Sequence, residues 1–283
     1  MESRIIGKLE LDEARTRRDI ARILASPASS TYSGYCFGTW NIYMLCNATG
    51  KTNDSTLHEF EGPGRFTTLG LKASYIMSVI KNNFRTDKMK WARAFLLRNG
   101  NIVPHRDYLE FGRPLTRIHL AIFTDESSMH SEEDEVFQMR KGEVWYLAAE
   151  KVHSAATLSN FARTVICMEF DLEPGVGPEA VFCQMSEVFA SITPRLISRE
   201  PLSVQELKAI YQLGDIITEQ NYSDIVRLLS KVHFYKRAGA GDLFDWMIEI
   251  ARRSANANLI DRATAFKRNC IESRCVHEHI SVQ

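Results

Sequence analysis

His105 and Asp107 stand two positions apart in the string VPHRDY, His153 follows far downstream, and Arg163 comes shortly after it. A His-x-Asp pair with one distant His is the two-histidine, one-carboxylate set that holds Fe(II) on one face and leaves the other face open. Residues two apart on a β-strand point the same way, so His105 and Asp107 share a face and His153 must come from a different strand. Such a centre has room for a keto acid bound through two atoms and for dioxygen beside it. Arg163 suits the remote carboxylate of that acid, because a guanidinium offers a bidentate fork that stays charged.

These residues need strands to carry them, and the pattern supplies strands. From Met89 to Leu172 the period shifts toward two, with candidate strands MKWARAFLL, RIHLAIFT, EVFQM, EVWYLA, VHSAATLS and RTVICMEFDL separated by RNGN, FGRP, DESS and RKGE. Many short strands at this spacing predict a sandwich or jelly roll. Alternation puts Arg117 and His119 on one face of RIHLAIFT, His153 with Ala155 and Thr157 on one face of the next, and Arg163 with Cys167 and Glu169 on another. Together these faces outline a small polar cavity with a cation at its base. Arg106 points away from it, which makes that residue structural.

The flanks read as helical. Glu10 to Ser26 and Leu69 to Asn83 are candidate helices on either side of an aromatic, turn-rich stretch from Gly34 to Asp54. After Leu172, EPGVGP breaks the strand pattern. Ser203 and Glu206 form a capping box ahead of LSVQELKAIYQLGDII, and further helices are expected in SDIVRLLSKVHF, DLFDWMIEIARR and LIDRATAFKRNC. The expected division is a β domain with N-terminal helices over 1–175 and a helical region over 176–283. The helical region either caps one end of the β core or forms a homodimer contact.

Thirty-five basic and thirty-five acidic side chains cancel, which gives no general surface for nucleic acid or anionic membrane. The N-terminus has no secretory signal pattern, and no apolar run nears the roughly 18 residues that span a bilayer. A cytoplasmic protein with a small-molecule substrate is expected. The six cysteines contain no CxxC pair, which argues against a zinc site or a disulfide framework. His119 reads as an inward structural histidine, and His58, His233, His277 and His279 as structural or solvent-facing. The acidic run SEEDE at 131–135 reads as a solvated loop or a lid, and the tryptophans as core or cavity wall.

The stretches NIVPHRDYLEF, RIHL, HSEEDEVFQMRKGEVWYLAAEKVHSA and FARTVICMEF, continued by LLSKVHFY and DLFDWM, resemble the proline hydroxylases of the Fe(II)/2-oxoglutarate-dependent dioxygenases. The nearest resemblance is to bacterial proline 3-hydroxylase, which is related to the aspartyl/asparaginyl β-hydroxylases. The resemblance implies that His105, Asp107 and His153 are the iron ligands and that Arg163 binds the distal carboxylate of 2-oxoglutarate. Arg117 and His130 match positions lining the cosubstrate and substrate cavity. Arg93 in KWARAF and Asn47 in LCNATG occupy matching segments as candidates for holding an amino-acid substrate.

The implied fold is a double-stranded β-helix, a cupin-like jelly roll with flanking helices and a C-terminal helical region. The implied reaction couples oxidation of 2-oxoglutarate to succinate and CO2 with hydroxylation of an unactivated C–H bond by O2, ascorbate aiding the enzyme in vitro. The substrate class is a free L-amino acid of proline or lysine type. A cavity carboxylate such as Glu110 or Glu169 would favour lysine, since a buried ammonium needs a partner. The alternatives are a hydroxylase of an Asp, Asn or Pro side chain in a peptide and a non-catalytic β-helix binding protein.

Overall fold

The computed structural model describes residues 1–109, 111–184 and 192–274. The strands of its main sheet, in chain order, are β1 (Arg4–Lys8), β2 (Cys36–Asn47), β3 (Arg65–Phe66), β4 (Met89–Ile102), β5 (Thr116–Phe123), β6 (Ser128–Glu132), β7 (Glu135–Gln138), β8 (Glu143–Leu147), β9 (His153–Phe170) and β10 (Arg195–Leu196). The helices are α1 (Glu13–Leu24), α2 (Thr68–Lys72), α3 (Ser74–Asn83), α4 (Val204–Gln212), α5 (Tyr222–Leu229), α6 (Val232–Tyr235), α7 (Asp242–Arg253) and α8 (Ala257–Lys267). Among the described residues, no helix is long and apolar enough to cross a membrane.

The main leaf of the sheet runs β1-β8-β5-β9-β4-β2-β3, and a smaller leaf adds β6, β7 and β10. Every pairing in both leaves is antiparallel. β9 belongs to both leaves: His153–Thr157 pair with β6, and Thr164–Phe170 pair with β5. The two runs VHSAATLS and RTVICMEFDL are therefore one long strand rather than two. The curled sheet encloses a cavity between its leaves, the jelly-roll arrangement that the many short strands predict.

The fold-over has a local cause. β2 and β4 both shift register where Gly38 faces Gly100. A Cβ on Gly100 would lie 1.7 Å from the Phe37 carbonyl oxygen, and Gly38 has φ +117°. Only glycine permits so close a backbone approach and that dihedral. The bend carries the end of β4 across toward the smaller leaf, where the His105 segment follows.

The outer face of the main leaf is covered by α1, α2 and α3, with Ile20, Ile23, Ile76 and Ile80 packed on Leu45, Ala94, Ile118 and Ile166. α2 and α3 were expected as one helix; the chain breaks at Ala73, whose ψ is +63°. β1, β2 and β6 were not expected. β1 is masked by a charged N-terminus, while from Ile42 to Asn47 in β2 both faces are buried and the alternation is lost.

The SEEDE reading is corrected in part. Ser131 and Glu132 are buried in β6, and the turn to β7 is tight, with Glu133 at φ +51°. The Glu132 carboxylate accepts from the backbone N–H groups of Glu2 and Ser3, pinning the N-terminus. Glu133 and Asp134 alone form the exposed turn that the solvated-loop reading expects.

The Ser203/Glu206 capping box starts α4 as expected. α4 to α8 build a second apolar cluster that includes Phe37, Leu97, Ile102 and Val103 of the β core. The helical region thus caps the end of the sheet beside the His105 segment. Cys36, Cys46, Cys167, Cys183 and Cys270 are free thiols. Glu110, Cys275, His277 and His279 lie outside the described residues.

Candidate active site

The cavity between the leaves contains His105, Asp107 and His153 on its wall, and one ligand atom from each can be chosen so that all lie within 4.8 Å of one another. His105 and His153 face each other across an antiparallel bridge, and the Asp107 N–H donates to the Ala149 carbonyl at 2.8 Å. Asp107 Oδ1 lies 3.6 Å from His105 Nε2, and Oδ2 lies 3.2 Å from His153 Nε2.

The donor set fits a divalent metal. His105 Nδ1–H donates to the Val103 carbonyl at 2.8 Å, and His153 Nδ1–H donates to the Lys151 carbonyl at 3.0 Å. A carbonyl can only accept, so these bonds fix both tautomers and leave each Nε2 lone pair directed at the common point. Burial, with the neighbouring His153 charge adding to it, pushes the His105 imidazole down to about 3. It is therefore neutral and ligand-ready at physiological pH. Burial opposes ionisation of Asp107, but the Arg117 guanidinium, followed by the two histidines, holds its carboxyl well below the ordinary range.

Behind the triad lies a buried ionic chain. Arg117 donates from Nη1 to Asp107 and from Nη2 to Glu169 Oε1 at 3.0 Å. Arg93 donates to the same Glu169 oxygen, and Glu169 is fully buried. Glu169 is thus bridged by two cations and is no free partner for a substrate ammonium. Arg117 is thus paired with two buried carboxylates, Asp107 and Glu169, the structural alternative that the sequence leaves level with a cavity-lining role.

Arg163 is buried at the cavity wall with no carboxylate partner among the described residues, and its Nη2 donates to Met139 Sδ at 3.6 Å. Desolvation alone lowers it to about 10, so it remains a cation. A buried unpaired guanidinium is unfavourable until an anion arrives. His130 lines the same cavity, stacked on His153 with ring centroids 5.9 Å apart.

Arg93 also lines the cavity, its guanidinium 4.8 Å over the Phe95 ring. Asn47 does not. Its amide donates to the Lys51 and Asp54 carbonyls at 2.7 Å each and accepts from the Gly50 N–H at 2.6 Å, bracing a loop away from the cavity. That side chain is spent on the turn.

Several cavity residues escape sequence reasoning. Tyr32 and Tyr35 line the cavity, Tyr108 lies beside Asp107, and Arg274 arrives from the C-terminal region, while Trp40 lines the cavity in keeping with its reading as core or cavity wall. Tyr108 was findable in hindsight as the residue after the His-x-Asp pair; its φ of +61° is costly for a tyrosine and turns the chain there. Arg274 had no local signal, since its position depends on tertiary docking. Arg106 proves structural, donating to the Glu150 carbonyl at 2.6 Å and the Ile271 carbonyl at 3.2 Å.

Residues 9–172 match the family model for aspartyl/asparaginyl beta-hydroxylase, and residues 178–278 match that for the C-terminal part of L-proline 3-hydroxylase. The chain is 30% identical to an L-proline cis-3-hydroxylase from Streptomyces sp over 287 residues, covering 100% of this chain and 99% of that one. It is 30% identical to an L-proline cis-4-hydroxylase from Rhizobium meliloti (strain 1021), covering 95% of each. A solved oxidoreductase of the 2OG-Fe(II) oxygenase family from Burkholderia pseudomallei is similar at 10% identity, covering 57% of this chain and 79% of that one with a TM-score of 0.40. On the first matches, the chain belongs to the aspartyl/asparaginyl beta-hydroxylase and L-proline 3-hydroxylase family.

Proposed function

We propose that the cavity binds Fe(II) through His105, Asp107 and His153 and 2-oxoglutarate through Arg163, and that the enzyme hydroxylates a free L-amino acid with an uncharged, proline-type side chain. The observation that carries this is the meeting of three ligand atoms beside a buried, uncompensated arginine in one cavity. When bound, Fe(II) with 2-oxoglutarate and O2 supplies the oxidising power for C–H hydroxylation, with succinate and CO2 as the other products. The chain's own residues supply position, charge and exclusion of water.

Charge favours an amino acid whose side chain carries no ammonium. The described cavity wall holds Arg93, Arg117, Arg163 and Arg274 against the single carboxylate Asp107, which the metal and Arg117 engage. A lysine side chain would find no acidic partner there among the described residues, and burying it unpaired is costly. Trp40 and Phe95, packed edge to face with centroids 5.6 Å apart, instead offer an apolar surface for a ring. The relatives named as proline hydroxylases support the same choice.

The test is a panel of the twenty amino acids and pipecolate, incubated with protein, Fe(II), ascorbate and 2-oxoglutarate in air and followed by mass spectrometry. Gain of one oxygen by proline or another uncharged amino acid is expected. Hydroxylation confined to lysine would overturn the side-chain assignment.

A further inference from the structure

We infer that Lys90 is a positioning residue for the amino-acid substrate, because it holds an irregular segment in place as the solvent-side wall of the cavity. This rests on the reading that an amino acid is hydroxylated there.

The segment lies between β2 and β3, where residues 48–64 form neither helix nor strand. A structureless stretch longer than about 15 residues is uncommon in a compact fold and is usually functional. Thr56 and Leu57 from it line the cavity; Thr56 is exposed and Leu57 half-buried, so this wall divides the cavity from solvent. Without ladder partners, its backbone must be held by side chains. At one end the Ser55 hydroxyl lies 2.7 Å from that of Ser29 and 2.6 Å from that of Thr31, and the Leu57 N–H donates to the Tyr32 hydroxyl at 3.2 Å.

The other end is fastened by Lys90, which is buried. Its Nζ donates to the Phe60 carbonyl at 2.6 Å and to the Gly62 carbonyl at 2.7 Å, and lies 4.6 Å from the centre of the Phe60 ring. β4 shifts register against β9 between Met89 and Trp91, which makes Lys90 the extra residue of a bulge. A plain alternating strand sends neighbours to opposite faces, whereas a bulge re-aims a side chain. Here Lys90 and Trp91 both reach Phe60, the indole edge-on at 5.1 Å.

Lys90 also joins this wall to its neighbour. Its Nζ is 3.6 Å from Asp171, which accepts from Arg113, and the Gly112 N–H donates to Glu59 at 2.9 Å. Phe111, beside Gly112, lines the cavity and stacks with Trp91, centroids 6.3 Å apart. Lys90 itself does not line the cavity. It reaches a substrate only through Leu57 and Phe111, whose placement it sets.

The test compares wild type with Lys90→Met, Lys90→Arg and Glu59→Ala. Each is loaded with Zn(II) and 2-oxoglutarate and titrated calorimetrically with proline, then assayed with Fe(II) and ascorbate for KM and for succinate formed per hydroxyproline. Lys90→Met should weaken proline binding and raise its KM about tenfold, the scale of a small misplacement of substrate. Affinities for 2-oxoglutarate and Mn(II) should match wild type. Succinate should exceed hydroxyproline, each excess turnover oxidising one ascorbate to dehydroascorbate and sending the second oxygen atom to water. Lys90→Arg, which keeps the donors, should recover part of the affinity. Glu59→Ala, at an exposed position with little bearing on folding, should shift the same quantities by a smaller factor.

Unchanged proline affinity, KM and succinate ratio in Lys90→Met would overturn the inference alone. Equal weakening of proline, 2-oxoglutarate and Mn(II), with Glu59→Ala at wild-type values, would assign Lys90 to the fold at large and also overturn it. Wild-type protein that neither binds nor hydroxylates proline would remove the proline-type reading, and the inference with it.

Discussion

His105 and His153 exchange both of their backbone hydrogen bonds, each 2.9 Å long, so the two imidazoles leave the same rung of the sheet with ring centroids 4.4 Å apart. Reciprocal bonding of this kind fixes register, and a slip of one residue would turn one ring to the opposite face. The relative placement of the two proposed ligand histidines is thus held by main chain. Asp107 is tied to the same layer through its own N–H and the Ala149 carbonyl.

Because the rung is main chain, Asp107→Ala should keep the sheet and lose the site. Turnover should vanish and Mn(II) affinity should fall by about a hundredfold or more, as the proposed role of the carboxylate as a direct ligand requires. Far-UV circular dichroism should match wild type. Calorimetric titration with Mn(II) checks the first, and unchanged affinity would remove Asp107 from the metal set.

Arg163→Met should separate stability from function. The guanidinium is buried without a carboxylate partner among the described residues, so replacing it by an apolar side chain of similar length should stabilise the metal-free protein by about 1–3 kcal/mol. The same variant should lose 2-oxoglutarate binding. Urea unfolding and ligand titration on one preparation measure both; a less stable variant that still binds 2-oxoglutarate would contradict this role.

Glu169 has the opposite character. It bridges Arg93 and Arg117, and Glu169→Gln would leave two buried guanidiniums short of a counter-charge. A loss of about 3 kcal/mol is expected for breaking a buried pair from one side. Metal affinity should also drop through Arg117, which positions Asp107. Unfolding midpoints in urea test the first effect, and Mn(II) titration the second.

His233 makes the fold acid-sensitive at a distance from the cavity. Its Nε2 meets Ser131 Oγ at 3.0 Å, and burial, aided by Arg199, lowers the imidazole from 6.5 to about 3. As pH falls below 6.5 the unfolded chain takes up a proton that the folded chain refuses. Stability is therefore full above that pH and is progressively lost toward 3. At pH 5 this one group should account for about 2 kcal/mol of loss relative to neutral pH. Urea midpoints at both pH values should show a smaller difference in His233→Asn; an unchanged difference would assign the acid sensitivity elsewhere.

The site was more legible than the frame that holds it. Period-two alternation was enough to place Arg117 with His119, His153 with Ala155, and Arg163 along the cavity, because strand phasing is a local property of the chain. β2 was not, since both faces of its second half are buried and its composition reads as aromatic loop. Asn47 resembled a binding residue by segment, yet the turn after β2 consumes its amide.

Arg106 shows the same divide at a finer scale. Alternation alone turns it away from the metal, but its partners Glu150 and Ile271 are remote in sequence and could not be named. Through the backbone bond from Arg106 N–H to the Cys270 carbonyl, the metal-binding motif and the C-terminal helices hold each other in place. The unpartnered ring nitrogens of His119 were equally invisible, because only the folded cavity shows which buried groups have no neighbour to bond among the described residues.

The central claim is tested most directly by supplying isotopically heavy dioxygen to anaerobic protein charged with Fe(II), ascorbate, 2-oxoglutarate and proline. Equal amounts of hydroxyproline and succinate are predicted, with heavy oxygen in the new hydroxyl group. Succinate without oxygen incorporation into the amino acid, or no succinate at all, would contradict it.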